Sequence, residues 1–135
     1  MPVRFDDVRE GDELPTREFF LAKDQVRAYA RAALQWSARF TDDEGARNEG
    51  LPGMITPGNM SMGLLTGLIE AWVGPGVLRR LGTTFRGLVL PGRTIRLCGT
   101  VTQKDERARS VELDVWLESD EGERLVIGTA TVALT

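Results

Sequence analysis

The sequence contains no histidine. That single absence removes Ser-His-Asp triads, Cys-His dyads, histidine metal sites and every histidine general base. One cysteine is present, Cys98, so neither an intrachain disulfide nor a thiolate metal cage can form. No spaced Asp/Glu loop for a hard cation is visible either, and no metal or cofactor is expected. Lysine is scarce, with 2 Lys against 15 Arg. The bias fits arginine-rich codon usage, with anion binding as its functional alternative. Net charge is −3, and no basic run is interleaved with aromatics, so nucleic acid is not an expected partner. The longest apolar stretch, Met60–Val73, is broken by Ser61, Thr66 and Glu70 and is too short for a bilayer. The opening "MPVRFDDVREGDEL" is charged from the start, unlike a signal peptide. The expectation is a cytoplasmic protein with no membrane partner.

What is present fits one domain over residues 1–135, large enough for a single core. Four Pro-Gly pairs, at 52–53, 57–58, 75–76 and 91–92, mark turns or element boundaries. Glu13–Leu21 reads as a first strand. Asp24–Leu34 reads as an amphipathic helix with Val26, Tyr29, Ala30, Ala33 and Leu34 on one stripe. Trp36–Gly53 has no period and reads as a loop. A helix starts near Asn59, its candidate N-cap, and is apolar nearly all round. Gly63, Gly67 and Ala71 recur every four residues along it, a strip where a sheet is expected to approach closely. After Gly76 the period becomes two: "LRRLGTTFRGLVL", with a kink at Gly87, then "RTIRLCGTVTQK", "SVELDVWLES" and "RLVIGTATVALT". Consecutive strands joined by short turns imply an antiparallel sheet. The fold class is α+β, with that sheet wrapped around one long central helix.

Four segments in order, "FDDVREGDELP", the helix ending at Tyr29-Ala30, "GMITPGNMSMGLLTGLIEAWVG" and "TTFRGLVLPGRTIRLCGTVT", resemble the MaoC-like hydratase/dehydratase family of the hotdog fold. Members acting on acyl-thioesters carry a segment of the kind S-G-D-x-N-P-x-H, whose Asp and His work on a water and an enoyl-thioester. Laid on that motif, Ala33–Phe40 sets Gln35 at the Asp position, Ser37 at the Asn position and Phe40 at the His position. Pro57, in "ITPG", stands where a second His is often found. Gln35 cannot accept a proton near neutral pH and Phe40 cannot exchange one. A positioned acid or base contributes about 10²–10⁴-fold, so little proton chemistry is left.

The resemblance implies a non-catalytic subunit of an enoyl-thioester hydratase or 3-hydroxyacyl dehydratase. Its partner would be a second hotdog chain, and its ligand an acyl-CoA or acyl-carrier-protein thioester with a long or bulky acyl group. Trp36, Phe40, Pro57, Gly58 and Asn59 are the expected groove residues. Arg79, Arg80 and Arg86 are candidate contacts for CoA phosphates, with Arg93 and Arg96 weighed beside them. Alternatives are a hotdog thioesterase using Asp42, Asp43, Glu44 or Glu70 as its carboxylate, and a homodimeric acyl-thioester binding protein. Cys98, in a strand pattern with no base beside it, reads as a packing residue.

Overall fold

The computed structural model describes residues 3–135. Five strands make one antiparallel sheet in the order β1-β3-β4-β5-β2: β1 Arg17–Leu21, β2 Leu78–Phe85, β3 Arg93–Asp105, β4 Ser110–Ser119 and β5 Arg124–Ala133. Three α-helices accompany it: α1 Lys23–Ala32, α2 Asp43–Asn48 and α3 Gly58–Val73. The strand alternation sets which side of the sheet is inward. Leu97 faces Leu117, Val101 faces Leu113, Leu117 faces Val126 and Val111 faces Val132, all buried. The opposite side carries Glu112, Asp114, Trp116 and Glu118.

Helix α3 lies on the inward side and is one-sided. Ser61, Leu65, Leu68, Ile69 and Val73 are buried, a stripe of period three to four. Each of the three large aliphatics in its middle is 0–1% exposed, worth about 1.5–3 kcal/mol of burial apiece. The Gly63-Gly67-Ala71 strip lies on the other side. Gly63 and Ala71 are exposed, and a Cβ on Gly63 or Gly67 would meet no atom within 4 Å. The expected close sheet contact at these glycines is therefore overturned. The bulky residues take the sheet side because they bury more area there, and the small ones are left facing away.

Other boundaries also differ from the sequence reading. β1 starts at Arg17; Glu13 makes only an isolated bridge to Thr100, and Pro15 between them has no N–H to continue a ladder. The expected loop at residues 36–53 contains a 3-10 turn, Ala38–Phe40, and α2. Asp42 caps α2 by accepting the Gly45 N–H at 2.9 Å. Asn59 is not the N-cap of α3: the helix begins at Gly58, and its N-cap, two residues before Asn59, is Pro57, whose carbonyl accepts the N–H groups of Met60 and Ser61. A pre-set φ of −59° makes Pro57 a ready start. β2 ends at Phe85, where Arg86 and Gly87 both donate their N–H to the Leu125 carbonyl. Two strands, β1 and β2, have one unpaired edge each. Among the described residues no helix is long and apolar enough to cross a membrane.

Candidate functional site

Helix α1 ends in a left-handed turn at Leu34, φ 58°. Gln35 N–H bonds back to Ala30 O at 2.8 Å and Leu34 N–H to Arg31 O at 3.1 Å, the pairing of a Schellman cap without its usual glycine. This fixes the backbone of Gln35 and directs the chain into the Ala38–Phe40 turn. That turn is tied down from two sides. Arg27 Nε donates to the Thr41 carbonyl at 2.8 Å, and the Ile55 N–H donates to the Arg39 carbonyl at 2.7 Å. Thr56 N–H in turn bonds Val89 O at 2.8 Å.

These ties gather three distant segments around one hollow of about 240 Å³, walled by Phe40, Ile55, Thr56, Ser61, Phe85 and Leu88, with Gly58 at the helix start. The mouth is on the side of Phe85 and Leu88, which are 51% and 45% exposed; Thr56 and Ser61 are on the buried wall. The Phe85 ring reaches over Gly58, its Cζ 2.8 Å from where a Cβ would stand. No glycine freedom in φ is needed there; the requirement is space. Among the described residues the N–H groups of Gly58 and Asn59 find no acceptor, as expected at a helix start. No ionisable side chain lines the hollow. A larger concavity, about 420 Å³, lies on the outer face of the sheet beside Trp116, whose ring carries the Arg124 guanidinium at 3.9 Å. None of the residues singled out from the sequence lines it.

The expected groove residues divide. Phe40 and Gly58 line the hollow. Pro57 is buried directly beside it. Trp36 is 64% exposed and does not line it, and Asn59 is exposed in the first turn of α3. Gln35 is half-buried, and its Oε1 has no hydrogen-bond partner. Ser37 is exposed; its carbonyl accepts from Phe40 N–H and Thr41 Oγ1.

The candidate carboxylates are placed for structure. Asp42 is a helix cap. Asp43 accepts Lys23 Nζ at 2.8 Å and Met54 N–H at 2.9 Å, joining α1, α2 and the segment before α3. The Lys23 hydrogen bond, then the Met54 N–H, hold its carboxyl below the usual carboxylate range. Glu44 is exposed, and Glu70 sits in the last turn of α3; none of the four lines the hollow.

Of the arginines, Arg79 bonds the Gly76 carbonyl and Arg80 bonds Thr129 Oγ1, both at the end of β2 away from the mouth. Arg86 follows Phe85 and is exposed there. Arg93 pairs with Asp120 and Glu121, and Arg96 with Glu18 and Glu118. Cys98 is buried 3.7 Å from Glu118 Oε1, and burial together with that charge pushes its thiol upward, away from the thiolate.

Thr56, Ser61, Phe85 and Leu88 escaped the sequence reading as site residues. They adjoin segments that did carry a signal, the Pro57-Gly58 pair before α3 and Arg86 in "TTFRG", but the reading stopped at those residues.

Comparison with known proteins bears on the same geometry. The sequence matches the MaoC like domain family over residues 5–122. No curated protein matches it. Among solved structures, a MaoC-like dehydratase is 29% identical with a TM-score of 0.92, over 99% of this chain and 42% of that one. The ChsH1-ChsH2 complex from Mycobacterium tuberculosis matches at 17% identity and TM-score 0.85, over 94% of this chain and 98% of that one. An (R)-hydratase from A. caviae involved in PHA biosynthesis matches at 18% identity and TM-score 0.87, over 95% and 98%. With its family segments in sequence order and its five-stranded antiparallel sheet curved around α3, the chain belongs to the MaoC-like domain family and has the hotdog fold.

Proposed function

We propose that this chain is a non-catalytic subunit of a MaoC-like enoyl-thioester hydratase or 3-hydroxyacyl dehydratase, acting on CoA or carrier-protein thioesters. It would form part of the acyl groove for a hotdog partner that carries the Asp/His pair. One observation carries the reading: the hollow formed by the 38–40 turn, the start of α3 and the end of β2 has no ionisable side chain. Hydration of an enoyl-thioester needs a group to take a proton from water and a group to return one at the α-carbon. Phe40 faces the hollow from the position where the sequence resemblance expects the histidine. What remains is a wall of phenyl and aliphatic groups with Thr56 and Ser61 among them, and the free amides of the helix start, which suit a thioester oxygen.

Pairing is supported in two ways. The β2 edge is unpaired and eight residues long, the kind of edge that must be covered. Structural relatives include a complex of two named subunits and a chain more than twice as long as the part this one matches. The test is a hydration assay on the purified chain with a crotonyl-type thioester. Background rates are expected. A kcat on the order of 1 s⁻¹ or more, in the range of ordinary enzymes, would refute the proposal.

A further inference from the structure

The outer face of the sheet carries a dip and a ridge side by side. The strand register sorts its side chains into rows that run across the strands. One row is short: Gly82 of β2 pairs with Thr129 of β5, which pairs with Asp114 of β4. The next outward row is tall: Thr84 pairs with Ile127, which pairs with Trp116. Rows two residues apart are separated by about 7 Å along the strands. The short row floors the concavity of about 420 Å³. Trp116 rises beside it, and the Arg124 guanidinium lies 3.9 Å over the indole ring, which makes the ridge taller still.

Charge marks both features. Elsewhere on this face polar side chains find partners within the chain. Glu112 accepts Thr131 Oγ1 at 2.8 and 2.9 Å, Arg96 pairs with Glu18 and Glu118, and Arg80 donates to Thr129 Oγ1 at 3.3 Å. Asp114 in the dip and Arg124 on the ridge are both exposed. Among the described residues no ion pair engages either of them.

An acid and a base that do not meet within one chain meet between two. Two copies of this face, brought together by a two-fold axis that runs parallel to the rows and midway between them, set the tall row of each over the short row of the other. Asp114 and Trp116 belong to the same strand, so the same rotation sets Arg124, above Trp116, opposite Asp114 of the other copy. The strands of the two sheets then run along a common direction, as in aligned face-to-face packing. A contact of this kind is isologous, with every pair formed twice, and it closes.

We propose that two copies of this chain associate back to back through this face, the Trp116–Arg124 ridge of each entering the Gly82–Thr129–Asp114 dip of the other, with Arg124 paired to Asp114 across the axis. The β2 edge and the hollow beside α3 stay free. The association therefore adds to pairing with a hotdog partner and does not depend on it.

The test is sedimentation of the full chain over a range of concentrations, read as mass. Gly82→Val fills the dip, and a Cβ there meets only Arg80 Nη1, at 3.5 Å, so the fold should accept it. Asp114→Arg and Arg124→Asp each set like charges against one another at both contacts. All three variants should weaken the association by about tenfold or more, and mass should halve at a concentration where the wild-type chain is assembled. The two charge variants are then mixed. One presents two cations on this face and the other two anions, so an equimolar mixture should regain the wild-type mass. Lost folding in either variant would not produce that recovery. A wild-type chain whose mass does not double with concentration would overturn the inference. So would a mass that no variant changes, or a mixture no heavier than its components, and the dip would then belong to another occupant. None of these outcomes touches the acyl-groove reading, which is assayed at the hollow.

Discussion

Gly58→Ala tests the construction of the site most sharply, because its effect on stability and its effect on the hollow point in different directions. A Cβ at this position would stand 2.8, 3.1 and 3.3 Å from three atoms of the Phe85 ring. The ring must yield, and it has room to do so, being 51% exposed on an edge strand. Full burial of a phenylalanine is worth about 1.5–3 kcal/mol, so displacing a half-buried ring forfeits about 1 kcal/mol. Alanine in place of glycine in a helix returns up to about 1 kcal/mol, and less in the first turn. The net change should lie within about 1 kcal/mol, visible as a small shift in the urea midpoint. The hidden clash appears in a double-mutant cycle. With Phe85→Ala already made, Gly58→Ala should become neutral or stabilising, giving a coupling of about 1 kcal/mol. Additive effects would show that the ring does not rest on the helix start. A loss beyond about 3 kcal/mol from Gly58→Ala alone would show that the ring is locked, contrary to its exposure.

Three further expectations follow from the same geometry. Gly67→Leu should leave the stability of the folded chain unchanged or raise it by up to about 0.8 kcal/mol through helix propensity, since its side chain meets open space; a loss above 1–3 kcal/mol, typical of overpacking, in a denaturant titration would contradict the placement of the strip. Asp43 is held below the usual carboxylate range, so its contribution is complete above the unfolded pKa of about 3.9 and is lost as pH falls through the lower, folded value. Asp43→Asn should therefore cost about 1 kcal/mol near neutrality and flatten the fall in stability below about pH 4; an unchanged pH profile would remove the staple role. In an assembly with a dyad-bearing partner, Gln35→Ala should leave kcat nearly unchanged while Phe40→Ala alters acyl preference, and a kcat loss of 10²-fold or more from Gln35→Ala would show it acting in proton transfer.

Much of the fold was legible because the periods are strong. The alternation in "SVELDVWLES" and the run Met60–Val73 announce a strand and a long helix without help from context, though the helix is buried on one side only. Helix α2 was not, because six residues give fewer than two turns and leave no period to read. Its cap was in plain view, Asp42 followed by Asp43 and Glu44, but acidic clusters occur in loops just as often. The glycine strip on α3 was misread for a different reason. Small residues fit a close sheet contact and an uncovered face equally well, and the choice falls to the bulky residues on the opposite side. Of the candidate site, Phe40 and Gly58 were readable through family resemblance alone. Thr56 and Ser61 come from one segment, Phe85 and Leu88 from another, and only the sheet and α3 bring the two together. The hydroxyls of Thr56 and Ser61 lack partners, which a sequence does not record.

The central claim, that this chain serves a catalytic partner and does not itself catalyse, is tested most directly by co-expression with hotdog proteins that carry an intact Asp/His segment. The complex is isolated, its mass determined and its hydration of a crotonyl-type thioester assayed beside each chain alone. The account predicts a stable pair whose activity depends on the partner's dyad and whose acyl preference changes on substitution of Phe40 or Phe85 in this chain. A monomer in dilute solution, or a homodimer that ignores every such partner, would contradict it.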